Sequence, residues 1–324
     1  MGYIQDAKKL CIERDANKCR HCGTSQNLFV HQLTKRKGRL AWNLSNLITT
    51  CGRCSELSEI SRKNIHNKNA GVLLCGGRAT RLFPLTKFHN KHELPIGIVP
   101  MIFYPLKTLR AFGVYRVLAI VDRDGAKDII NMLGSGKEWG LDISYKIQEG
   151  SGGISEALYL AKDFVRPDDT IVTILGDNIF DYEQIDKGLD MGDNKACIFT
   201  KKVNNPEDYG VAVMSSDGKV TEVIEKPKEH IGDMAVVGLY LYTNDVFGVI
   251  DKIKPSDRGE LEISAVNNHY AKNNSLINKS VEGYWADCGS SIQRYCEAAL
   301  HGAKIAKVSK DEIENFVSII FDEK

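Results

Sequence analysis

Short apolar runs alternate with amphipathic segments from about residue 70 onward. The apolar runs have the length and composition of buried β-strands, and the segments between them have apolar residues at helical spacing. The strand candidates are residues 71–75, 117–121 and 170–175, and the helix candidates are roughly residues 103–112, 125–133 and 154–165. Buried strands that alternate with helices predict an α/β domain with a mainly parallel sheet and helices on both faces.

The pattern changes after residue 195, where apolar runs follow one another closely. These runs are residues 197–201, 211–214, 220–225 and 236–242. Closely spaced strands favour antiparallel pairing, so the sheet is expected to become mixed in a Rossmann-like fold.

A polar, basic stretch separates this domain from what precedes it. We therefore expect a module at 1–60, a linker at 61–69, the α/β domain at 70–305 and a tail at 306–324.

Charge is unevenly distributed along the 324 residues, although the net charge is only +1. Residues 1–68 carry 13 basic and 5 acidic side chains, whereas the remainder carries 30 and 37. Such asymmetry is typical of two modules with different partners. No apolar run is long enough to cross a bilayer, and no signal sequence begins the chain. A cytoplasmic protein without a membrane partner is the expectation.

Four of the nine cysteines form two C-x-x-C pairs in the first module. Cys19 and Cys22 make one pair, and Cys51 and Cys54 make the other. This spacing predicts a structural Cys₄ zinc site, because a segment of this size gains much of its stability from a metal. Four free cysteines are the alternative. The remaining cysteines lie in or beside apolar segments and are expected to be core residues.

The same module resembles the zinc-ribbon form of the HNH endonucleases. His31 and Asn46 match that pattern, but Gln32 stands in place of its general-base histidine and Ser55 in place of its last metal-binding histidine. Glutamine cannot accept a proton from water near neutral pH, so an active nuclease is disfavoured. Nucleic-acid binding by the basic surface and a purely structural role both stay open.

Paired glycines follow the first strand of the α/β domain. Gly76 and Gly77 would let the backbone approach a phosphate, and Arg81 and Lys91 add positive charge beside it. A plain tight turn is the alternative. Residues 74–86 resemble the pattern L-A-G-G-x-G-T-R-L-x-P-L-T of the sugar-1-phosphate nucleotidyltransferases.

Further motifs extend this resemblance over residues 70–305, in family order. Residues 100–106 read P-M-I-F-Y-P-L, which is typical of the short-form glucose-1-phosphate thymidylyltransferase branch. The resemblance implies that Arg81 and Lys91 hold the nucleotide phosphates and stabilise the departing pyrophosphate. Three positions depart from the pattern, with Cys75 for alanine, Ala79 for the third glycine and Val99 for lysine. The implied nucleotide-binding set is Leu74, Gly76, Gly77, Ala79, Thr80, Gln148, Gly153 and Asp177.

Two aspartates in distant segments are candidate metal ligands. Asp177 ends a buried strand in L-G-D-N-I-F, and Asp287 lies in Y-W-A-D-C-G. Each is a turn aspartate in the simplest interpretation. Both segments resemble the metal-binding segments of the thymidylyltransferases, which implies one catalytic Mg²⁺ held by the two carboxylates. That ion would bridge phosphate oxygens of the two substrates.

The sugar and base contacts are implied by weaker motifs. Glu225 and Lys226 in E-K-P match the family's sugar-binding glutamate and phosphate-binding lysine, although a surface lysine beside proline usually has no role. Gln148 and Gly153 lie in segments that resemble Y-x-x-Q and D-G-L-A-Q-A, the latter reading G-G-I-S-E-A in this chain. Gln148 is expected to contact a pyrimidine imide edge. The other sugar-pocket candidates are Tyr209, Gly210 and Val237.

Together the motifs predict transfer from dTTP to glucose 1-phosphate, giving dTDP-glucose and pyrophosphate by direct in-line attack. A UTP-using enzyme is the first alternative. A nucleic-acid-binding protein whose transferase domain senses a ligand is the second, and Ala79 and Val99 keep it open. A homo-oligomer is expected from the resemblance alone.

Overall fold

The computed structural model describes residues 2–14, 17, 25–26, 28–32, 47–51, 69–77 and 79–305. The chain divides into two compact units, at residues 1–66 and 67–324. In the first unit, helix α1 (Gly2–Arg14) precedes strands β1 (Leu28–Gln32) and β2 (Leu47–Cys51), which pair antiparallel. Ala7 and Cys11 of the helix are buried and pack with Val30 of β1.

The predicted zinc site falls outside this description. Cys19, Cys22 and Cys54 are not among the described residues. Cys51 ends β2, but only its backbone is described. The same holds for His31 in β1, and Asn46 and Ser55 also lie outside the described residues. The zinc-binding and HNH-like assignments therefore stay predictions.

The second unit contains a nine-stranded sheet and two short two-stranded ribbons. The sheet consists of β3 (Asn69–Cys75), β6 (Arg116–Asp122), β7 (Asp142–Gln148), β8 (Thr170–Leu175), β10 (Ala196–Lys202), β11 (Gly210–Met214), β12 (Val220–Glu225), β13 (Met234–Tyr242) and β14 (Leu276–Ser280). The ribbons pair β4 (Pro95–Ile96) with β5 (Val99–Pro100), and β9 (Asn178–Phe180) with β15 (Trp285–Asp287).

Four neighbouring strands form a parallel core in the order β7-β6-β3-β8. Strand β13 then runs antiparallel beside β8, with Leu239 opposite Ile174. Strand β10 pairs antiparallel with β13 and parallel with β14, while β11 and β12 form an antiparallel pair. The predicted change from a parallel to a mixed sheet is thereby confirmed.

Helices cover both faces of this sheet. They are α2 (Phe103–Ala111), α3 (Ala126–Leu133), α4 (Ile154–Tyr159), α5 (Val246–Ile250) and α6 (Ile263–Lys272), while α7 (Ile292–Ile305) packs against the short strands β4 and β15. Successive residues of β3 alternate between two cores, as a strand buried on both faces requires. Leu73 packs in the core that includes Leu109 of α2, and Leu74 in the core that includes Leu158 of α4.

One predicted helix is shorter than expected. The pattern predicted residues 154–165, but α4 ends at Tyr159. From there the backbone continues in tighter turns, because Leu160 N and Ala161 N donate to carbonyls three residues earlier. These turns still bury Ala161 and Val165, so the apolar residues whose spacing suggested a longer helix do lie in the core. Among the described residues, no helix is long and apolar enough to cross a membrane.

Candidate active site

The glycine-rich loop leaves β3 at the carboxyl edge of the parallel strands. Leu74 O accepts a hydrogen bond of 2.8 Å from Gly176 N, which joins this edge to the end of β8. Gly77 has a φ of +105°, a conformation that glycine adopts easily. A Cβ atom on Gly77 would lie 3.9 Å from Lys91 Nζ, so the loop passes close to that ammonium.

Ala79 has a left-handed backbone, with φ 46° and ψ 39°. This is the position where the family pattern has glycine, and an L-residue there carries a cost of about 1–2 kcal/mol. Leu82 N and Thr86 Oγ1 both donate to Ala79 O, the latter at 2.8 Å. These bonds hold the turn at Thr80–Leu82, which carries Arg81, despite the unfavourable conformation.

Two cations near the loop lie in different environments. Lys91 Nζ donates to Asp177 Oδ2 at 2.7 Å, and only 12% of the lysine side chain is exposed. Burial lowers the pKa of Lys91, but Asp177 outweighs burial and leaves the pKa raised. A capping box between Asn90 and Glu93 fixes the short turn that carries Lys91. Arg81 is exposed and has no ion pair with any described residue.

The carboxylates of Asp177 and Asp287 approach one another across Gly289. A Cβ atom on Gly289 would lie 2.2 Å from Asp177 Oδ2 and 3.5 Å from Asp287 Oδ1, so only glycine fits between them. Burial and the charge of Asp177 raise the pKa of Asp287 to about 7. Burial also raises the pKa of Asp177, but Lys91 outweighs it and holds that pKa at about 2.

Asn178 connects the two aspartate-bearing segments. Its Oδ1 accepts from Gly238 N at 3.1 Å and from Trp285 Nε1 at 2.8 Å, and its Nδ2 donates to Asp177 Oδ1 at 3.1 Å. The ladder between β9 and β15 places Asp287 opposite Asn178. A buried amide with three hydrogen bonds of this kind fixes the relative position of its partners. Asp177 is thus oriented by its own neighbour in sequence.

Glu225 and Lys226 lie on the other side of a cleft from the loop. Lys226 has a φ of 44°, and its N donates to Tyr209 O at 3.0 Å. Burial and then Glu262 raise the pKa of Glu225, although Arg258 Nη2 lies 3.6 Å from its carboxylate. The cleft brings together Arg81, Asp208, Tyr209, Gly210, Glu225, Lys226, Gly238, Tyr240, Trp285 and Asp287.

A buried histidine packs against Gly176, the residue that precedes Asp177. His92 is 1% exposed, and its ring packs against Gly176, where a Cβ atom would lie 2.7 Å from Nε2. Nδ1 lies 2.8 Å from Asn90 Oδ1, which also accepts from His92 N, so Nδ1 is the protonated nitrogen. Burial, with Lys91 nearby, lowers the pKa of His92 to about 3.

The family model for nucleotidyl transferase matches residues 70–304 of this chain. The chain belongs to the nucleotidyl transferase family. It is therefore an enzyme that transfers nucleotidyl groups. The match covers every strand of the nine-stranded sheet except Asn69, the first residue of β3, and every residue of the cleft.

Relatives of this nucleotidyltransferase include two named as glucose-1-phosphate thymidylyltransferases. That of Neisseria meningitidis is 35% identical over 225 residues, covering 68% of this chain and 78% of the relative. That of Xanthomonas campestris is 37% identical over 225 residues, covering 68% and 76%. The low-salt glycan biosynthesis nucleotidyltransferase Agl11 of Haloferax volcanii is 36% identical over 222 residues. The chain spans 62% of Agl11, less than two thirds of its length.

Solved structures agree with the fold. A Bacillus anthracis protein assigned as a glucose-1-phosphate thymidylyltransferase, crystallised with sucrose, has a TM-score of 0.65 and 37% identity. It covers 72% of this chain and 95% of its own. A UDP-glucose pyrophosphorylase bound to UDP-glucose has a TM-score of 0.64 and covers 73% and 98%. Its identity of 22% supports the shared fold alone.

Six of the sequence candidates line this cleft: Arg81, Tyr209, Gly210, Glu225, Lys226 and Asp287. The lining does not include Leu74, Gly76, Gly77, Ala79, Thr80, Lys91, Gln148, Gly153 or Asp177, nor does it include Val237. The side chain of Val237 is fully buried in the core beneath the sheet, whereas Val236 and Gly238 line the cleft. A contact from Val237 to a ligand would therefore involve its backbone. Asn178, His92 and Gly289 were missed as site residues. L-G-D-N contained the signal for Asn178, because an amide beside a buried carboxylate needs partners of its own.

Proposed function

We propose that this nucleotidyltransferase joins dTTP and glucose 1-phosphate into dTDP-glucose and pyrophosphate. The observation that carries the proposal is the meeting of Lys91, Asp177 and Asp287 at the carboxyl edge of the sheet, opposite Lys226. Open α/β sheets bind ligands at this edge. The names of the relatives from Neisseria and Xanthomonas support the two substrates.

The proposed reaction is a single in-line displacement. A phosphate oxygen of glucose 1-phosphate attacks the α-phosphorus of dTTP, and the bond from that phosphorus to the β-phosphate oxygen breaks. Lys226 orients the attacking phosphate, and Glu225, Tyr209 and Gly210 border the space for the sugar. Arg81 neutralises the pyrophosphate as it leaves, with Lys91 behind the loop. Positioning and charge stabilisation supply the catalysis, so no covalent enzyme intermediate is needed.

The two aspartates fit a bound Mg²⁺. They lie close together and largely out of solvent, and burial first, then the charge of Asp177, raises the pKa of Asp287. A bound cation would offset both effects. Magnesium is commonly bound by one or two carboxylates, with substrate phosphates and water completing its shell. Among the described residues no group of three or more candidate ligands occurs, so the remaining ligands would have to come from substrate and water. When bound, the ion would polarise phosphate oxygens and neutralise charge.

The test is pyrophosphate release by the full chain with glucose 1-phosphate and Mg²⁺, comparing dTTP, UTP, dCTP, ATP and GTP. We expect dTTP to be preferred. UTP is the closest rival, because thymine and uracil share the imide edge that Gln148 would contact. Equal use of UTP would make the enzyme a general pyrimidine transferase. Absence of release with every nucleotide would contradict catalysis and favour a ligand-sensing role.

Asp177→Asn is the matched probe for the metal site. It keeps the shape of the side chain but removes the charge, and activity should fall about 10³-fold. Asp163→Asn removes an exposed carboxylate, 89% exposed, and should change little. Equal activities of the two variants would show that Asp177 holds no ion.

For the first module we propose a Cys₄ zinc site at Cys19, Cys22, Cys51 and Cys54. Metal analysis of the full chain should find one zinc per chain, and Cys19→Ser/Cys54→Ser should lose it. Retention of zinc by this variant would contradict the proposed ligands. Binding of the basic module to a labelled duplex, and the oligomeric state measured by light scattering, would separate a nucleic-acid role from a structural one.

A further inference from the structure

The Gln148 amide is held by Glu156, a carboxylate that stands where the family motif has glutamine. Gln148 ends β7 and is 9% exposed. Its Nε2 donates to Glu156 Oε2 at 2.8 Å and to Gly153 O at 3.2 Å. Glu156 Oε2 also accepts from Gly152 N at 3.0 Å. One carboxylate oxygen therefore ties the amide to the backbone that leads into α4.

These bonds determine which way the amide faces. An amide nitrogen has two hydrogens, and both are used by Glu156 and Gly153. The opposite orientation would set the amide oxygen against a carboxylate and a carbonyl, which is repulsive. The oxygen Oε1 accepts no hydrogen bond from any described residue. It faces the glycine-rich loop, since a Cβ atom on Gly76 would lie 3.5 Å from it.

In the family motif the acidic side chain comes from a different position. The motif D-G-L-A-Q-A has an acid at its first position and glutamine at its fifth, whereas this chain has Gly152 and Glu156. A Cβ atom on Gly152 would lie 2.2 Å from Glu156 Oε2. A side chain at position 152 therefore starts where the Glu156 carboxylate lies. The two positions compete for one place, and this chain fills it from the helix side.

We propose that Glu156 is a positioning residue that makes Gln148 a pure hydrogen-bond acceptor and thereby selects bases with a ring N–H. The N3–H of thymine or uracil can donate to Oε1, whereas N3 of cytosine has only a lone pair to set against it. Selection against cytosine thus comes from an unpaired, repulsive contact. This inference rests on the proposed function, because it takes the cleft to be the nucleotide site.

The experiment compares kcat/KM for dTTP and dCTP in wild-type enzyme and Glu156→Ala. Without the carboxylate the amide can rotate and offer Nε2 to cytosine N3. The preference for dTTP should fall about tenfold, mostly through KM, because one charge-assisted hydrogen bond no longer orients the amide. Values of kcat should stay within about twofold, since Glu156 does not touch the reacting atoms.

Two further variants separate positioning from damage to the fold. Asp163→Ala removes a nearby exposed carboxylate and should leave the preference unchanged. Gly152→Asp/Glu156→Gln returns the acid to the family position and should restore most of the preference. Gly152→Asp alone should lower it, because two carboxylates then compete for one place. Rescue by the double variant cannot come from a merely structural role of Glu156.

Direct binding of dTTP and dCTP, measured by calorimetry, keeps this inference separate from the proposed reaction. If no nucleotide is turned over but dTTP still binds more tightly than dCTP, and Glu156→Ala removes the difference, the inference holds and the reaction fails. If the wild-type enzyme releases pyrophosphate equally from both, the inference is wrong and the transferase stands. An unchanged preference in Glu156→Ala, or no nucleotide binding at all, also overturns it.

Discussion

Lys91 and Arg81 are both cations beside the glycine-rich loop, yet they differ in exposure, in ion pairing and in the turns that carry them. Lys91 is only 12% exposed, pairs with Asp177 at 2.7 Å and lies in a turn fixed by a capping box. Arg81 is exposed on a turn that begins at a left-handed alanine. A buried charge needs its partner for stability, whereas an exposed charge is available for a ligand. On this basis we propose that Lys91 builds the site and that Arg81 receives the substrate.

The same contrast extends to the surroundings of each cation. Behind Lys91, Asn178 makes three hydrogen bonds that hold Asp177, β13 and β15 together. Around Arg81, Phe83 and Phe88 are 50% and 82% exposed. In a site assembled this way, hydrogen bonds fix the side that carries Asp177. The side that carries Arg81 completes its contacts only when a ligand binds. Four substitutions test this comparison.

Lys91→Met should have the largest effect. It leaves Asp177 buried without its partner, so the free energy of unfolding should fall by about 3–5 kcal/mol. Urea denaturation measures it. Lys91→Met/Asp177→Asn removes both charges and should recover much of the loss. Lys162→Met breaks an exposed pair with Asp251 and should cost far less. Similar losses of stability in the two lysine variants would show that Lys91 contributes no more to stability than an exposed lysine does.

Arg81→Gln should separate binding from stability. We expect kcat/KM to fall about 10²-fold through lost stabilisation of pyrophosphate, with the free energy of unfolding within about 0.5 kcal/mol of wild type. Pyrophosphate release and urea denaturation measure the two quantities. Arg110→Gln, on the exposed side of α2, is the control and should be silent in both. A destabilised Arg81→Gln variant would show that Arg81 is structural as well.

His92 should make the free energy of unfolding sensitive to acid. Its folded pKa of about 3 lies below the unfolded value of 6.5, so its contribution to stability is complete above pH 6.5 and is lost as the pH falls. Lys91 adds to this effect, and Asp177 opposes it. The stability difference between wild type and His92→Asn should narrow by about 1.4 kcal/mol from about pH 7.5 to about pH 5.5. A constant difference would contradict a neutral buried imidazole.

Ala79→Gly should have the smallest effect. Glycine removes the cost of the left-handed backbone but adds freedom to the unfolded chain. The net gain in the free energy of unfolding should be about 0.5–1 kcal/mol, with kcat/KM equal to or slightly above wild type. Ala79→Ser keeps a Cβ atom and should gain nothing. A loss of activity in Ala79→Gly would mean that the alanine stiffens the loop usefully.

The sequence predicted the sheet better than it predicted the site. Strands such as Thr170–Leu175 matched because a strand buried on both faces is a continuous apolar run, whose limits are visible without knowing its neighbours. Helix α4 was predicted six residues too long, because apolar spacing reports burial and does not distinguish an α-helix from successive tight turns.

Site residues were predicted where the chemistry lies in a motif, and missed where it depends on a partner distant in sequence. Nothing local indicates that Asn178 bonds to Trp285, 107 positions away. Nothing local indicates that Gln148 has lost its donor, since Glu156 becomes its partner only after β7 and α4 come together. The sequence predicted that Gln148 contacts a pyrimidine imide edge, but it gave no sign that Glu156 and Gly153 would take both hydrogens of the amide nitrogen.

The bond between Asn178 and Trp285 also has a consequence for protein synthesis. The ribosome makes β8 and Asp177 long before β15 and Asp287. Until Trp285 has been added, Asn178 Oδ1 lacks one partner and Asp177 lacks the carboxylate beside it. Contacts between such distant residues form late in folding. A nascent chain can therefore assemble much of its parallel core before the proposed metal site exists, so we expect activity to appear only once β15 has been made.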